Sequence, residues 1–156
     1  MTTYTKEPVV PEIVRDILKT NWDNYGGKIP QPTLVEVNIP EEAQMRYNFQ
    51  GRDYIFIQPD ITGEKATPRD TFRYWDLTFN ITLTIYTAQS RQRLYDIKKE
   101  IRRIFIYKMH DTTVNQYQLL RYGSFTEHPQ EALKIWKGQV RISFESVGVN
   151  FNVESP

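Results

Sequence analysis

Few residues in this chain have the type and spacing to do chemistry. His110 and His128 are its only histidines, and neither lies in an HExxH-type spacing that would put two imidazoles on one helical face around a metal. There is no cysteine, which removes thiolate ligands, thiol nucleophiles and disulfides together. Glu41 and Glu42 are adjacent carboxylates, a weak arrangement for acid–base work, and solvation is the simpler role for both. The run Asn24–Lys28 (NYGGK) has the glycines of a phosphate loop but no strand before it and no helix after it, so it reads as a turn. GxSxG, GxGxxG and P-loop patterns are absent. The expectation is no catalytic residue, no metal and no cofactor. An enzyme ranks last among the functions considered.

Charge gives a stronger signal. Seven basic residues fall between Arg91 and Lys108, and only Asp96 and Glu100 oppose them, so the segment carries a net +5. At about 100° per residue, Arg91, Lys98, Lys99, Arg102 and Arg103 fall on one flank of an apolar stripe, and Asp96 and Glu100 fall on the other. Three uses fit such a two-flanked helix. It is a solvated outer face, a nucleic-acid backbone contact helped by the aromatics in RRIFIYK, or a head-to-tail contact in which one flank meets a different surface of the next copy.

The elements that would hold these side chains follow from periodicity. Residues 1–10 read as an extended arm. PEIVRDILKTNW predicts a helix, with Pro11 in its first turn, Glu12 at the positive end of the dipole, and Ile13, Val14, Ile17 and Leu18 on one face. TLVEVNIP predicts a short strand, and RDYIFIQ a second one stopped by Pro59. Residues 59–72, with Gly63 and Pro68, read as a long mobile hairpin loop carrying Lys65 and Arg69. The stretch from Trp75 then alternates strictly. Trp75, Leu77, Phe79, Ile81, Leu83 and Ile85 fall on one face, and Thr78, Thr82, Thr84 and Tyr86 on the other. Ser90 predicts a helix cap, with Leu94, Ile97, Ile101, Ile104 and Phe105 buried behind it. YQLLRYGSFTEH, with a bulge at Gly123, and LKIWKGQVRISFESVGV predict a closing hairpin turned by HPQEA. The tail from Asn150 is polar.

This order predicts one α+β domain over residues 1–156: a mostly antiparallel sheet with two helices packed on one face, order α-β-β-α-β-β with an extra N-terminal strand. The Thr-lined face of the long strand is expected to meet water or a polar partner. With 39% hydrophobic and 25% charged residues, the chain has the composition of a folded protein. Its net charge of +1 argues against a domain-wide nucleic-acid binder. No run approaches a membrane span, and the first residues lack a signal-peptide core, so the expectation is a chain made in a cytoplasm with no membrane partner.

The phrases DYIFIQ, WDLTFNITLTIYTA, SRQRLYDIKKEIRRIF, QLLRYGSFTEH and KIWKGQVRISFESVGV, in that order over residues 11–148, resemble the tail terminator proteins of long-tailed bacteriophages, also called tail completion or minor tail proteins. The resemblance lies in architecture and hydrophobic phrasing, above all in LTIYTAQSRQRLYDI and the closing GQVRISFESVGV. The piece at 33–50 and the tail beyond Val149 depart from small members of that family. The resemblance implies a virion protein assembled in the host cytoplasm. It would form a homo-oligomeric ring, usually a hexamer, that caps the tail tube, stops its polymerisation and joins the head-side neck proteins, with genome DNA passing through the lumen without sequence-specific binding. In that setting Thr78, Thr82, Thr84, Arg91, Asp96, Lys98, Lys99, Glu100, Arg102 and Arg103 would serve subunit or partner contacts, and Lys65 and Arg69 would reach tube or neck. A neck or head–tail connector of similar fold is the alternative. In another class, the alternative is a small nucleic-acid-binding domain using Arg91, Lys98, Arg102 and Arg103.

Overall fold

A computed structural model describes residues 9–22, 29–44, 46–47, 49–50, 52–69, 74–109, 119–130 and 134–149. Residues 1–8 of the arm expected over 1–10, the tail from 150 and His110 lie outside them, and Val10 already belongs to the first helix. The elements run α1 (Val10–Asn21), β1 (Leu34–Val37), α2 (Glu41–Gln44), β2 (Asp53–Pro68), β3 (Trp75–Thr87), α3 (Arg91–Tyr107), β4 (Leu119–Gln130) and β5 (Ile135–Val149). The architecture is α+β, with a five-stranded mixed sheet in the order β1-β2-β3-β5-β4. β1 runs parallel to β2, and every other pairing is antiparallel.

The two long helices form where the apolar spacing predicts them. α1 begins with Pro11 in its first turn, where its missing N–H would have no helical acceptor anyway. It buries Val10, Val14, Ile17 and Leu18. α3 begins at Ser90, whose backbone is extended and whose hydroxyl accepts from the Arg93 amide at 3.0 Å. Leu94, Ile97, Ile101, Ile104 and Phe105 are all completely buried against the sheet, each contributing about 1.5–3 kcal/mol of hydrophobic stabilisation. Both helices share one continuous core with Ile55, Ile57, Leu77, Ile81, Leu83, Ile85, Val140, Ile142 and Phe144.

Three expectations are corrected. Residues 59–68 are not a loop, because β2 continues through Pro59 to Pro68 opposite β3. β1 covers β2 only from Tyr54 to Ile57, so beyond that point β2 is a sheet edge and a proline costs no ladder bond there. The pairing slips between Pro59 and Glu64, and the residues between them are pushed out as a bulge with Gly63 at φ +50°. Second, the far face of the sheet is not open along its whole length. Tyr47 and Phe49 fold across it, meeting Tyr54, Phe56 and Tyr86 mostly edge to face at 5.0–5.4 Å. The third helix, α2, closes this second core through Gln44, whose amide oxygen accepts from the Tyr86 hydroxyl at 3.3 Å. Thr84 is therefore 1% exposed and Thr82 7%, while Thr78 stays half-open. Third, the closing hairpin's strand continues through Pro129 and Gln130, both expected in the turn. The bulge at Gly123 stands as expected, since the β4–β5 register shifts between Tyr122 and Ser124. A Cβ at Gly123 would lie 2.9 Å from the Arg141 carbonyl oxygen.

Candidate assembly surfaces

The basic helix carries less free charge than its sequence suggests, because three of its arginines are consumed inside the chain. Arg93 lies nearest the apolar stripe and turns inward. Its Nε and Nη2 donate to Asp53 at 2.9 and 2.8 Å, and Nη2 also donates to the Pro30 carbonyl at 2.7 Å. The same carboxylate accepts from the Thr87 hydroxyl at 2.7 Å and from the Gln89 amide at 3.0 and 3.1 Å. This knot ties the start of β2, the end of β3, the first turn of α3 and the segment before β1.

Arg91 lies along Glu127 of β4, donating from Nε at 2.9 Å and Nη2 at 3.0 Å, and the Tyr95 hydroxyl donates to the same carboxylate at 2.7 Å. The hydrogen bonds from Arg91 and then Tyr95 hold Glu127 below its ordinary carboxylate pKa, and Glu127 in turn raises that of Arg91. Arg103 pairs with Glu100 one turn back and donates to the Asn21 carbonyl at 2.8 Å, which joins the end of α1 to α3. Glu100 is completely buried, so the expectation that it meets a partner does not hold for this side chain. Asp96 accepts from Gln92 at 2.9 Å.

Lys98 and Arg102 remain on the β4 side of α3. The Lys98 ammonium stands over the Tyr95 and Phe125 rings at 5.1 and 5.3 Å. Burial first, and Arg102 second, lower its pKa. Arg102 and Lys99 are exposed, and so are the apolar side chains of Ile106 and Tyr107 that follow them.

The second surface is the ribbon formed by the outer halves of β2 and β3. Lys65 is exposed opposite Thr78, and Arg69 donates to Asp76 at 2.8 Å. Asp76 also accepts from the Gly148 amide at 3.0 Å, and the Arg69 bond, followed by this one, lowers its pKa. The bulge is itself a built feature. Asp60 caps the Ile61 amide at 2.8 Å and Asn80 donates to the Thr62 hydroxyl at 3.1 Å, so Ile61 is held out 99% exposed.

The sequence reading put Lys98, Lys99 and Arg102 on one outer flank, where Lys99 and Arg102 are exposed and Lys98 is half-buried. It missed Arg93 as an internal anchor, although its wheel position beside Ile104 was a usable signal, and it missed Ile61, for which no local signal exists. Among the described residues no three His, Asp or Glu side chains gather to hold a metal, and no helix is long and apolar enough to cross a membrane.

No protein-family model matches the sequence, and no curated protein does either. Among solved structures, the chain is similar to one described as "Virion of native gene transfer agent (GTA) particle", with a TM-score of 0.63 at 9% identity. The match covers 89% of this chain and 95% of that one. At that identity the likeness is one of fold.

Proposed function

We propose that this chain is a structural virion protein, a tail terminator whose copies form a ring on the end of the tail tube, stop its growth and present a face to the neck. The observation that carries this reading is the likeness of nearly the whole chain to nearly the whole of a chain from a virion particle. The exposed charged side of α3 and the ribbon with Ile61 at its bulge are surfaces suited to protein contact. In this role Lys98, Lys99 and Arg102 face a neighbouring copy, while Lys65 and Arg69 face tube or neck. Arg91 and Arg103 are already neutralised within the chain, which weighs against α3 as a phosphate-tracking helix.

The test is solution mass by light scattering over a range of concentration and salt, with and without tail-tube protein from the same particle. A species near six times 18.6 kDa, or a ring appearing only with tube ends and halting their elongation, is the expected result. A chain that stays monomeric, leaves tube growth unchanged and binds duplex DNA with steep salt dependence overturns the reading in favour of a nucleic-acid-binding domain.

A further inference from the structure

The sheet's two edges are unlike. β1 pairs with β2 only from Tyr54 to Ile57, so from Gln58 to Pro68 β2 is itself an edge, and β4 is the opposite one. Pro59, Pro68 and the bulge between them are features that keep an edge from adding a strand. A contact at this edge is therefore made by side chains. The bulge offers one: Ile61, 99% exposed on backbone fixed by Asp60 and by the bond from Asn80 to Thr62.

The ladders fix what stands level with Ile61 at the other edge. The bulge falls between Pro59, opposite Ile81, and Glu64, opposite Phe79. The same two rows run on through Ile142 and Phe144 of β5 to Tyr122 and Leu120 of β4. Tyr122 is half-buried on the helix side, and α3 runs along β4 there. Lys98 stands over Phe125, and the Met109 carbonyl accepts from the Leu120 amide at 2.8 Å. Burial raises the Tyr122 pKa, and the charge of Arg102 beside it works against that rise. Ile106, one turn beyond Arg102, is 53% exposed. Bulge and seat also differ in charge. Among the described residues, Asp60 and Glu64 outnumber Lys65 at the bulge, since Arg69 is held by Asp76. Along α3 and β4, Glu127 and Glu145 cancel Arg91 and Arg121, which leaves Lys98 and Arg102.

A closed ring has no rise from one copy to the next. With the strands along the ring axis, each level of the sheet meets the same level of the neighbouring sheet. We propose that the β2 bulge of one copy docks on the α3–β4 edge of the next, with Ile61 seated against Tyr122 and Ile106. The proposal rests on the ring reading and assigns its repeating contact. Because bulge and seat are different surfaces at opposite edges, the contact repeats head to tail.

Ile61 touches little within its own chain, so Ile61→Arg should fold as the parent does by circular dichroism. It sets a further cation against Lys98 and Arg102 and should weaken ring formation about tenfold or more in light scattering, while Ile61→Leu should leave it unchanged. If the parent assembles only on tube ends, the same comparison is made there. Ile61→Cys/Ile106→Cys, in a chain with no other cysteine, should oxidise in the assembled state to a ladder of disulfide-linked chains. Neither single variant can extend one beyond a pair.

A ring of unchanged mass and stability in Ile61→Arg, with no ladder from the double-cysteine chain, overturns this contact and leaves the ring standing. No ring from the parent, alone or on tube ends, overturns the ring reading and this contact with it. Ile61→Cys chains that link to tube protein and not to Ile106→Cys chains assign the bulge to the tube and overturn the proposal.

Discussion

Replacing Asp53 by alanine tests the main internal tie. The Asp53 side chain is 4% exposed and that of Arg93 is 10%. Asp53→Ala removes a carboxylate that accepts from Arg93, Thr87 and Gln89, and it strands the guanidinium with only the Pro30 carbonyl to receive it. Breaking a buried ion pair from one side costs about 3–5 kcal/mol, a large share of a total stability of about 5–15 kcal/mol. At a urea dependence of about 2 kcal/mol per molar, the unfolding midpoint should fall by roughly 2 M. The pair itself is not the source of that loss, since its attraction is largely offset by desolvation of both ions. Asp53→Leu/Arg93→Met, which removes both charges and keeps volume, should therefore recover most of the midpoint. A loss below about 1 kcal/mol in the single variant, or a double variant no better than the single, would refute the account.

Three further outcomes follow from local geometry. Ser90→Ala deletes the α3 cap and should cost about 0.5–2 kcal/mol in chemical unfolding, with Ser90→Asp largely neutral. Gly138→Ala would put a Cβ 2.6 Å from Phe125 and 3.2 Å from Leu94, so overpacking should cost about 1–3 kcal/mol and lower Tm by several degrees; the further change Phe125→Leu should restore part of it. Glu127 titrates below its ordinary value near 4.5 because Arg91 and Tyr95 donate to it, so its contribution is present above that value and lost as pH falls through its lowered pKa. In Arg91→Ala an NMR titration should show the Glu127 pKa rising towards the ordinary value.

What was legible in the sequence is what depends on neighbours three or four residues away. Leu94, Ile97, Ile101 and Ile104 mark α3, Ser90 marks its start, and the alternation from Trp75 marks β3, because each signal is complete within its own element. The rest depends on residues far apart in the chain. Pro59 reads as a stop until β1 is known to end its pairing at Ile57. Thr84 and Tyr86 read as an open polar face until Tyr47 and Phe49 are brought over them. Arg93 reads as one more surface cation until Asp53, forty positions earlier, is placed beside it. Of the assembly surface, the basic flank was visible in outline. How much of it stays unneutralised was not, since Glu127 and Glu100 decide that through contacts made only in the fold.

The strand order has a kinetic consequence. Apart from the short edge strand β1, the sheet is two hairpins, β2–β3 and β4–β5, joined where β3 meets β5, with α3 spanning the join. β4 follows α3 in the chain but cannot lie beside β3, because β5 occupies the place between them. The β3–β5 ladder therefore closes after both hairpins exist, across a separation that includes a whole helix and strand. Loop-closure entropy on that scale makes it the slow step. Substitutions along this join, such as Ile142→Val or Leu83→Ala, should slow refolding more than equally destabilising changes at the β1 edge, and the opposite pattern would place the folding nucleus elsewhere.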